Sequence, residues 1–150
     1  GRIRLEAGRQ SAREAGAVMS LRMRSVLGIL PVPIIYTNRL PEGVGGRAIG
    51  PLALIRPLYR DRGDEGLHQH ELEHVRQWWA TLGLHSLLYL TSRRYRLWAE
   101  ARAYAVQTRY ADARGDRLTL PDAAWRLAQP RYRLGIDVEQ AWAAILWAFY

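Results

Sequence analysis

The spacing of apolar residues changes character partway along the chain. From Val32 to Pro57, β-branched and aromatic residues come in short runs bounded by Pro and Gly, a pattern that predicts strands. "PIIYTN" is one such run, and "RLPEGVGG" after it carries the Pro and Gly of a turn. "RAIGPLALIRP" predicts one bent strand or two, interrupted at Gly50-Pro51. "LYRDRGDEG" reads as a polar loop, with Asp64 placed to cap the next helix.

Beyond that loop the period is helical. A first helix is predicted over residues 65–82, stopped at Gly83, then a stretch from His85 to Leu90 and a long helix from Arg93 to Asp112. "LPDAAWRLAQ" starts a short helix with Pro near its first turn, and Pro130 ends it. The last helix opens at "DVEQ", where Asp137 and Gln140 stand at capping-box spacing. There is no internal repeat. Strands followed by helices predict an α+β domain, a small N-terminal β-sheet packed on a mostly helical body. Residues 1–22 are expected to form a flexible or extension segment, with Met19 or Met23 a natural start, and residues 23–150 a single domain.

Composition narrows the chemistry. The chain has no cysteine, which excludes disulfides and thiolate zinc clusters, so any metal must be held by His, Asp or Glu. Its 22 basic residues are all Arg, and a net charge of +8 favours an anionic partner: nucleic acid, a membrane surface or an acidic cell-wall polymer. The longest apolar stretches, Val26–Ile35 and Ala141–Tyr150, run about ten residues where a membrane span needs ~20. No secretory segment is visible near the start, so the expected location is the cytoplasm or a phage-like particle. The Trp residues, 78, 79, 98, 125, 142 and 147, are expected to pack helices together. "TSRRYRLW" reads as a basic helix start rather than a nucleic-acid surface, and "AWAAILWAFY" as either buried or an interface for a partner or second copy.

Within the first helix lies His70-Glu71-Leu72-Glu73-His74, an H-E-x-x-H pattern for which roughly 0.01 chance matches are expected at this composition. Residues four apart on a helix project from nearly one face, so both imidazoles can aim a nitrogen at one ion. Glu71 flanks the pair and is placed to take a proton from a water on that ion. The metzincin continuation fails, because Gln77 and Ala80 stand where Gly and His are required. The third ligand must therefore come from elsewhere. His68 points roughly opposite His70, and His85 follows the Gly83 break in a packing or capping position. Glu100 is the best choice, an acidic residue interrupting an inward-facing stripe among small alanines on the long helix. Its alternative is a surface pair with Arg96. Glu73 is expected to face solvent or a neighbouring Arg.

This layout, HExxH on one helix and a glutamate on the next, resembles that of the gluzincin metallopeptidases, and the size and order of elements are similar to the minigluzincins. "IIYTNRLP", "GPLALIRPLYRD", "HELEHVRQWW" and "EARAYAVQ" also look like segments of small HExxH proteins of phages, prophages and bacteria. The resemblance covers about residues 30–110. It implies a zincin-like domain with Zn2+ held by His70, His74 and Glu100, and Glu71 as general base. Many gluzincins carry an acidic residue one turn beyond the ligand glutamate; this chain has Tyr104 there, a candidate for orienting a ligand or stabilising an oxyanion.

The expected activity is hydrolysis of amide bonds in a protein or peptidoglycan peptide, the substrate adding to an edge strand from residues 47–56. The alternative is a non-catalytic assembly protein of a phage-like particle that keeps the metal site and self-associates or binds a partner through its apolar C-terminus. A nucleic-acid-binding module, resting on charge alone, ranks last.

Overall fold

A computed structural model describes residues 19–150, so most of the expected extension lies outside the described residues. The fold is α+β, a four-stranded sheet followed by a helical half. The strands are β1 (Ser20–Val26), β2 (Leu30–Tyr36), β3 (Gly46–Ile49) and β4 (Leu52–Ile55), in spatial order β1-β2-β4-β3. β1–β2 and β3–β4 are antiparallel hairpins, joined by a parallel β2–β4 pairing. Strand β1 lies ahead of the region where strands were expected, and Ser20–Arg22, assigned to the extension, pair with Tyr36–Ile34. Its alternation, Leu21-Arg22-Met23-Arg24, is short and puts the apolar residues on largely exposed positions. The predicted break at Gly50 is a tight turn: Gly50 has φ +58, open to glycine at little cost, and it splits the run into β3 and β4.

The period-2 pattern decides which sheet face is covered. Val32, Ile34, Tyr36, Ala53 and Ile55 are buried, while Leu21 and Met23 stand on exposed positions of the edge strand β1. Pro31 and Pro33 fall in the part of β2 paired by β1 alone, where one side of the strand needs no ladder donor.

The helices are α1 (Pro57–Asp61), α2 (Glu65–Ala80), α3 (His85–Thr91), α4 (Arg93–Gln107), α5 (Leu120–Leu127) and α6 (Val138–Trp147). The segment expected as a loop before α2 is in part the short helix α1, opened by Pro57. The Asp64 side chain caps α2 by accepting from the Leu67 N–H, and Asp137 with Gln140 forms the expected capping box on α6. Helix α2 stops at Ala80, before the left-handed residues Leu82 and Gly83. Helix α4 ends at Gln107, short of Asp112, because the Asp112 carboxylate binds the Arg114 and Asp116 N–H groups and turns the chain.

α2 is the central element, packed against the sheet on one side and α4 on the other. At one end of that crossing Gly66 lies against the Gln107 carbonyl, where an added Cβ would sit 3.0 Å away. At the other, the Gln77 amide donates to the Ala99 carbonyl at 3.1 Å. Apolar residues split into a sheet-side core, including Val32, Ile34, Ile55 and Val75, and a helical core of Ala101, Ala105, Leu127, Leu134 and Ile145. A polar layer from α2 and α4 lies between them. The expectation for the tryptophans holds in part: Trp79 packs against the sheet-side core, whereas Trp98, Trp125, Trp142 and Trp147 are exposed, Trp147 by 81%. For those four the packing expectation is corrected: the helical core is filled by Ala101, Ala105, Ala123, Ala124, Leu127, Leu134, Ala141 and Ile145 instead. Among the described residues no helix is long and apolar enough to cross a membrane.

Glu73 is another departure, only 1% exposed, although it finds the expected arginines. Its carboxylate accepts from Arg76 one turn on and from Arg102 Nε of α4 at 2.8 Å. It thereby ties α2 to α4 in a place where a lone carboxylate would be costly. Glu73→Ala is expected to lower the unfolding free energy by about 2 kcal/mol, and Arg102→Ala, at a half-exposed partner, by less than about 1 kcal/mol. Urea unfolding of both variants measures the difference.

Candidate metal centre

Helix α2 presents His70 and His74 one turn apart toward α4, which returns Glu100 to the same spot. His70 Nε2 lies 3.5 Å from Glu100 Oε2, and His74 Nε2 lies 3.5 Å from Glu100 Oε1. One donor atom from each of the three residues falls within 4.8 Å of the other two. Three ligands at ~2.0–2.1 Å from one tetrahedral ion stand ~3.3 Å apart, so the set is nearly at coordination spacing. All are buried, with Glu100, His70 and His74 exposed by 3%, 5% and 7%. Arg96, the alternative partner of Glu100, instead donates to the Tyr89 and Tyr132 carbonyls.

Hydrogen bonds around the triad fix its electronic state. The Gln77 amide nitrogen is committed to the Ala99 carbonyl, so its Oε1 is the atom that accepts from His74 Nδ1 at 3.1 Å. His74 Nε2 is then the nitrogen facing Glu100, and with a neutral ring it is an acceptor facing an acceptor. Tyr89 donates to Glu100 Oε1 at 2.6 Å, but Oε2 is buried with no hydrogen-bond partner, as is His70 Nδ1. Buried carboxylate oxygens are rarely left so. Two imidazole nitrogens and a carboxylate turned toward one point need positive charge between them. The donor set, two nitrogens and one oxygen with outer hydrogen bonds from Gln77 and Tyr89, fits a zinc ion.

Protons report the same demand. Burial works to raise the Glu100 pKa, but the two imidazoles beside it, His74 first, hold it well below the ordinary carboxylate range. Burial works to lower that of His74, yet the Glu100 carboxylate drives it up to about 9. Glu71 behaves oppositely: desolvation raises its pKa, partly offset by His70 and His74 and by a hydrogen bond from the Ala48 N–H. Its carboxylate rests against β3, where a Cβ on Gly46 would come within 2.7 Å of Glu71 Oε1. Gly46 is thus part of the site because nothing larger fits.

The remaining histidines stand apart from this role. His68 Nδ1 bonds the Asp64 carbonyl at 2.6 Å and its Nε2 bonds the Tyr36 hydroxyl at 2.9 Å, anchoring α2 to β2. His85 stacks 5.7 Å from His74 and bonds the Tyr95 hydroxyl at 2.8 Å; burial, then His74, pushes its pKa down to about 4. Tyr104 sets its ring edge against His70, with centroids 4.7 Å apart, and its hydroxyl bonds Tyr132 at 2.6 Å. The sequence offered no signal for Tyr89 or Tyr132. For Gln77 there was one, its place three residues after a ligand histidine.

Compared with known protein families, curated proteins and solved structures, the chain matches none.

Gln77→Leu removes the bond that fixes the His74 ring and is expected to weaken zinc binding by about 10–100-fold without loss of helix content. Chelator competition measures the affinity and circular dichroism the fold. Because metal-free His74 is protonated below about 9 and must be neutral to ligate, zinc affinity should fall about ten-fold per pH unit below that value and level off above it. Glu100, already ionised there, adds no slope. Affinity measured across this range, with proton release in unbuffered solution, checks the sign.

Proposed function

We propose that the protein is a zinc-dependent metallopeptidase of gluzincin type, hydrolysing amide bonds in a protein or peptidoglycan peptide. The observation that carries this reading is the approach of both HExxH imidazoles to the buried, incompletely bonded Glu100 carboxylate, with Glu71 beside them. When bound, the ion supplies the positive charge that acidifies a nucleophilic water and polarises the scissile carbonyl.

The chain's own groups do the rest. His70, His74 and Glu100 hold the charge in place, and Gln77 and Tyr89 keep two of them oriented. Glu71 takes the proton from the water and returns it to the leaving amine. A carboxylate whose pKa burial has raised is matched to that exchange near neutral pH. Strand β3 is an edge of the sheet and lies beside Glu71, so an extended peptide can add to it as a fifth strand across the site. Tyr104 acts on His70 through its ring, and its hydroxyl, held by Tyr132, serves as a positioning group.

A second reading, a non-catalytic assembly protein retaining the metal site, draws on the C-terminal end. There Leu146, Trp147, Phe149 and Tyr150 are exposed beside the buried Ala141 and Ile145.

Glu71→Gln separates the two. Elemental analysis should show about one zinc per chain in both proteins. The variant's kcat/KM on a casein or peptide-library substrate should fall by at least about 10²–10⁴-fold. Cleavage that survives this substitution means the mechanism is wrong; a wild-type chain that binds zinc and cleaves nothing favours the assembly reading. Gly46→Ala, which crowds Glu71 and touches no ligand, should keep zinc and lower kcat, read by the same assay.

A further inference from the structure

A cleft of about 460 Å3 opens between the loop that precedes β3 and the end of α5 with the turn after it. Gly43, Tyr59, Trp125, Arg126, Gln129 and Arg131 line it. Two independent routes connect it to the site. Gly43 lies three residues before Gly46, which abuts Glu71. On the other wall, an Arg131 Nη lies 3.5 Å from the Tyr104 hydroxyl, whose ring packs on His70. A peptide added along β3 would thus pass close in sequence to the loop that walls this cleft.

The cleft is built rather than incidental. Arg56 holds its outer loop by donating to the Val44, Leu40 and Pro41 carbonyls at 2.7–2.8 Å. Arg131 then joins that loop to the helical half, donating to the Gly43 carbonyl at 3.2 Å and to the Tyr132 hydroxyl at 3.3 Å. Its guanidinium carbon sits 4.9 Å from the centre of the Tyr132 ring. These contacts orient the guanidinium, and none of them is to an anion. Arg126 has no ion pair and no side-chain hydrogen bond among the described residues, although it also borders a neighbouring cleft that contains Asp64, Asp112, Asp116 and Asp122. The lining contains two guanidiniums, two aromatic rings and no carboxylate.

Resting on the metallopeptidase reading, we propose that this cleft is a substrate subsite for a carboxylate. The group it takes is an acidic side chain next to the scissile bond or the free terminus of the peptide. A guanidinium already oriented and lacking an anionic partner gives up little in binding one, and the fork geometry suits a carboxylate. Trp125 and Tyr59 flank the peptide's apolar part.

The test uses zinc-loaded Glu71→Gln protein, which holds a peptide without cleaving it, and calorimetric titration at low salt. Three alanine-based hexapeptides are compared: one with an internal Glu and an amidated end, one with Gln there and a free terminal carboxylate, and one with Gln and an amidated end. At least one acidic peptide should bind about ten-fold more tightly than the neutral one, and which one identifies the source of the carboxylate. Arg126→Glu, at an exposed position without partners, should abolish or reverse that preference, and Arg131→Gln should reduce it. Equal binding of all three peptides, or a preference that both variants leave intact, overturns the proposal. Wild-type cleavage of a peptide library, run in parallel, keeps the outcomes distinct. Cleavage without acidic preference sinks the subsite alone, whereas charge-selective binding with no cleavage of any peptide sinks the peptidase reading and leaves the cleft a carboxylate-binding site rather than a substrate subsite.

Discussion

A carboxylate buried between two imidazoles is the constraint around which this molecule is arranged. Glu100 lies 3.5 Å from a nitrogen of each histidine, and one of its oxygens has no donor. Without positive charge at that point the arrangement is repulsive. In the metal-free protein the Glu100 carboxylate makes His74 more basic and so favours a proton there; a zinc ion would supply more charge at the same place. Every element of the middle layer bears on this geometry: Gln77 fixes one imidazole, Tyr89 fixes one carboxylate oxygen, and the Tyr104 ring closes over the other imidazole.

The fold makes so polar a layer tolerable by placing it between two apolar ones. The sheet-side core and the C-terminal helical core each bury their own side chains, leaving α2 and α4 to meet through alanines and hydrogen-bonded polar groups. Glu73 adds a second buried carboxylate to the same helix pair, but it is saturated by Arg76 and Arg102. The contrast between the two glutamates is informative. Two positions from Glu71 on one helix, a carboxylate with two guanidiniums is structural, whereas Glu100, facing two imidazoles and short of donors, has the character of a ligand.

Glu71 links that centre to the surface. Burial raises its pKa and β3 crowds it from the side, so it occupies the boundary between the ligand layer and the sheet edge. The cleft beyond Gly43 continues this boundary outward and carries its charge in arginines alone. The buried centre, the desolvated base and the basic cleft are thus linked by contacts, through Gly46 on one side and through Tyr104 and Arg131 on the other.

Local rules in the chain were sufficient for much of this. Helical spacing put His70 and His74 on one face, the cap residues Asp64 and Asp137 marked where helices begin, and a carboxylate in an alanine-rich stripe marked Glu100 as inward-facing. These are short-range properties, set by residues within a turn or two of one another. What needed the tertiary structure were the contacts between distant segments. The edge strand β1 carries a short apolar–polar alternation, Leu21-Arg22-Met23-Arg24, but it lies in an Arg-rich stretch and only its pairing with β2 settles it as a strand; nor could the exposed tryptophans be told from core ones by type. Tyr89, Tyr132 and Gly46 entered the site, and Arg126 and Arg131 the cleft, only because helices and strands far apart in sequence pack together. A side chain's partner across a packing interface is decided by the three-dimensional arrangement of backbones, which no local period encodes.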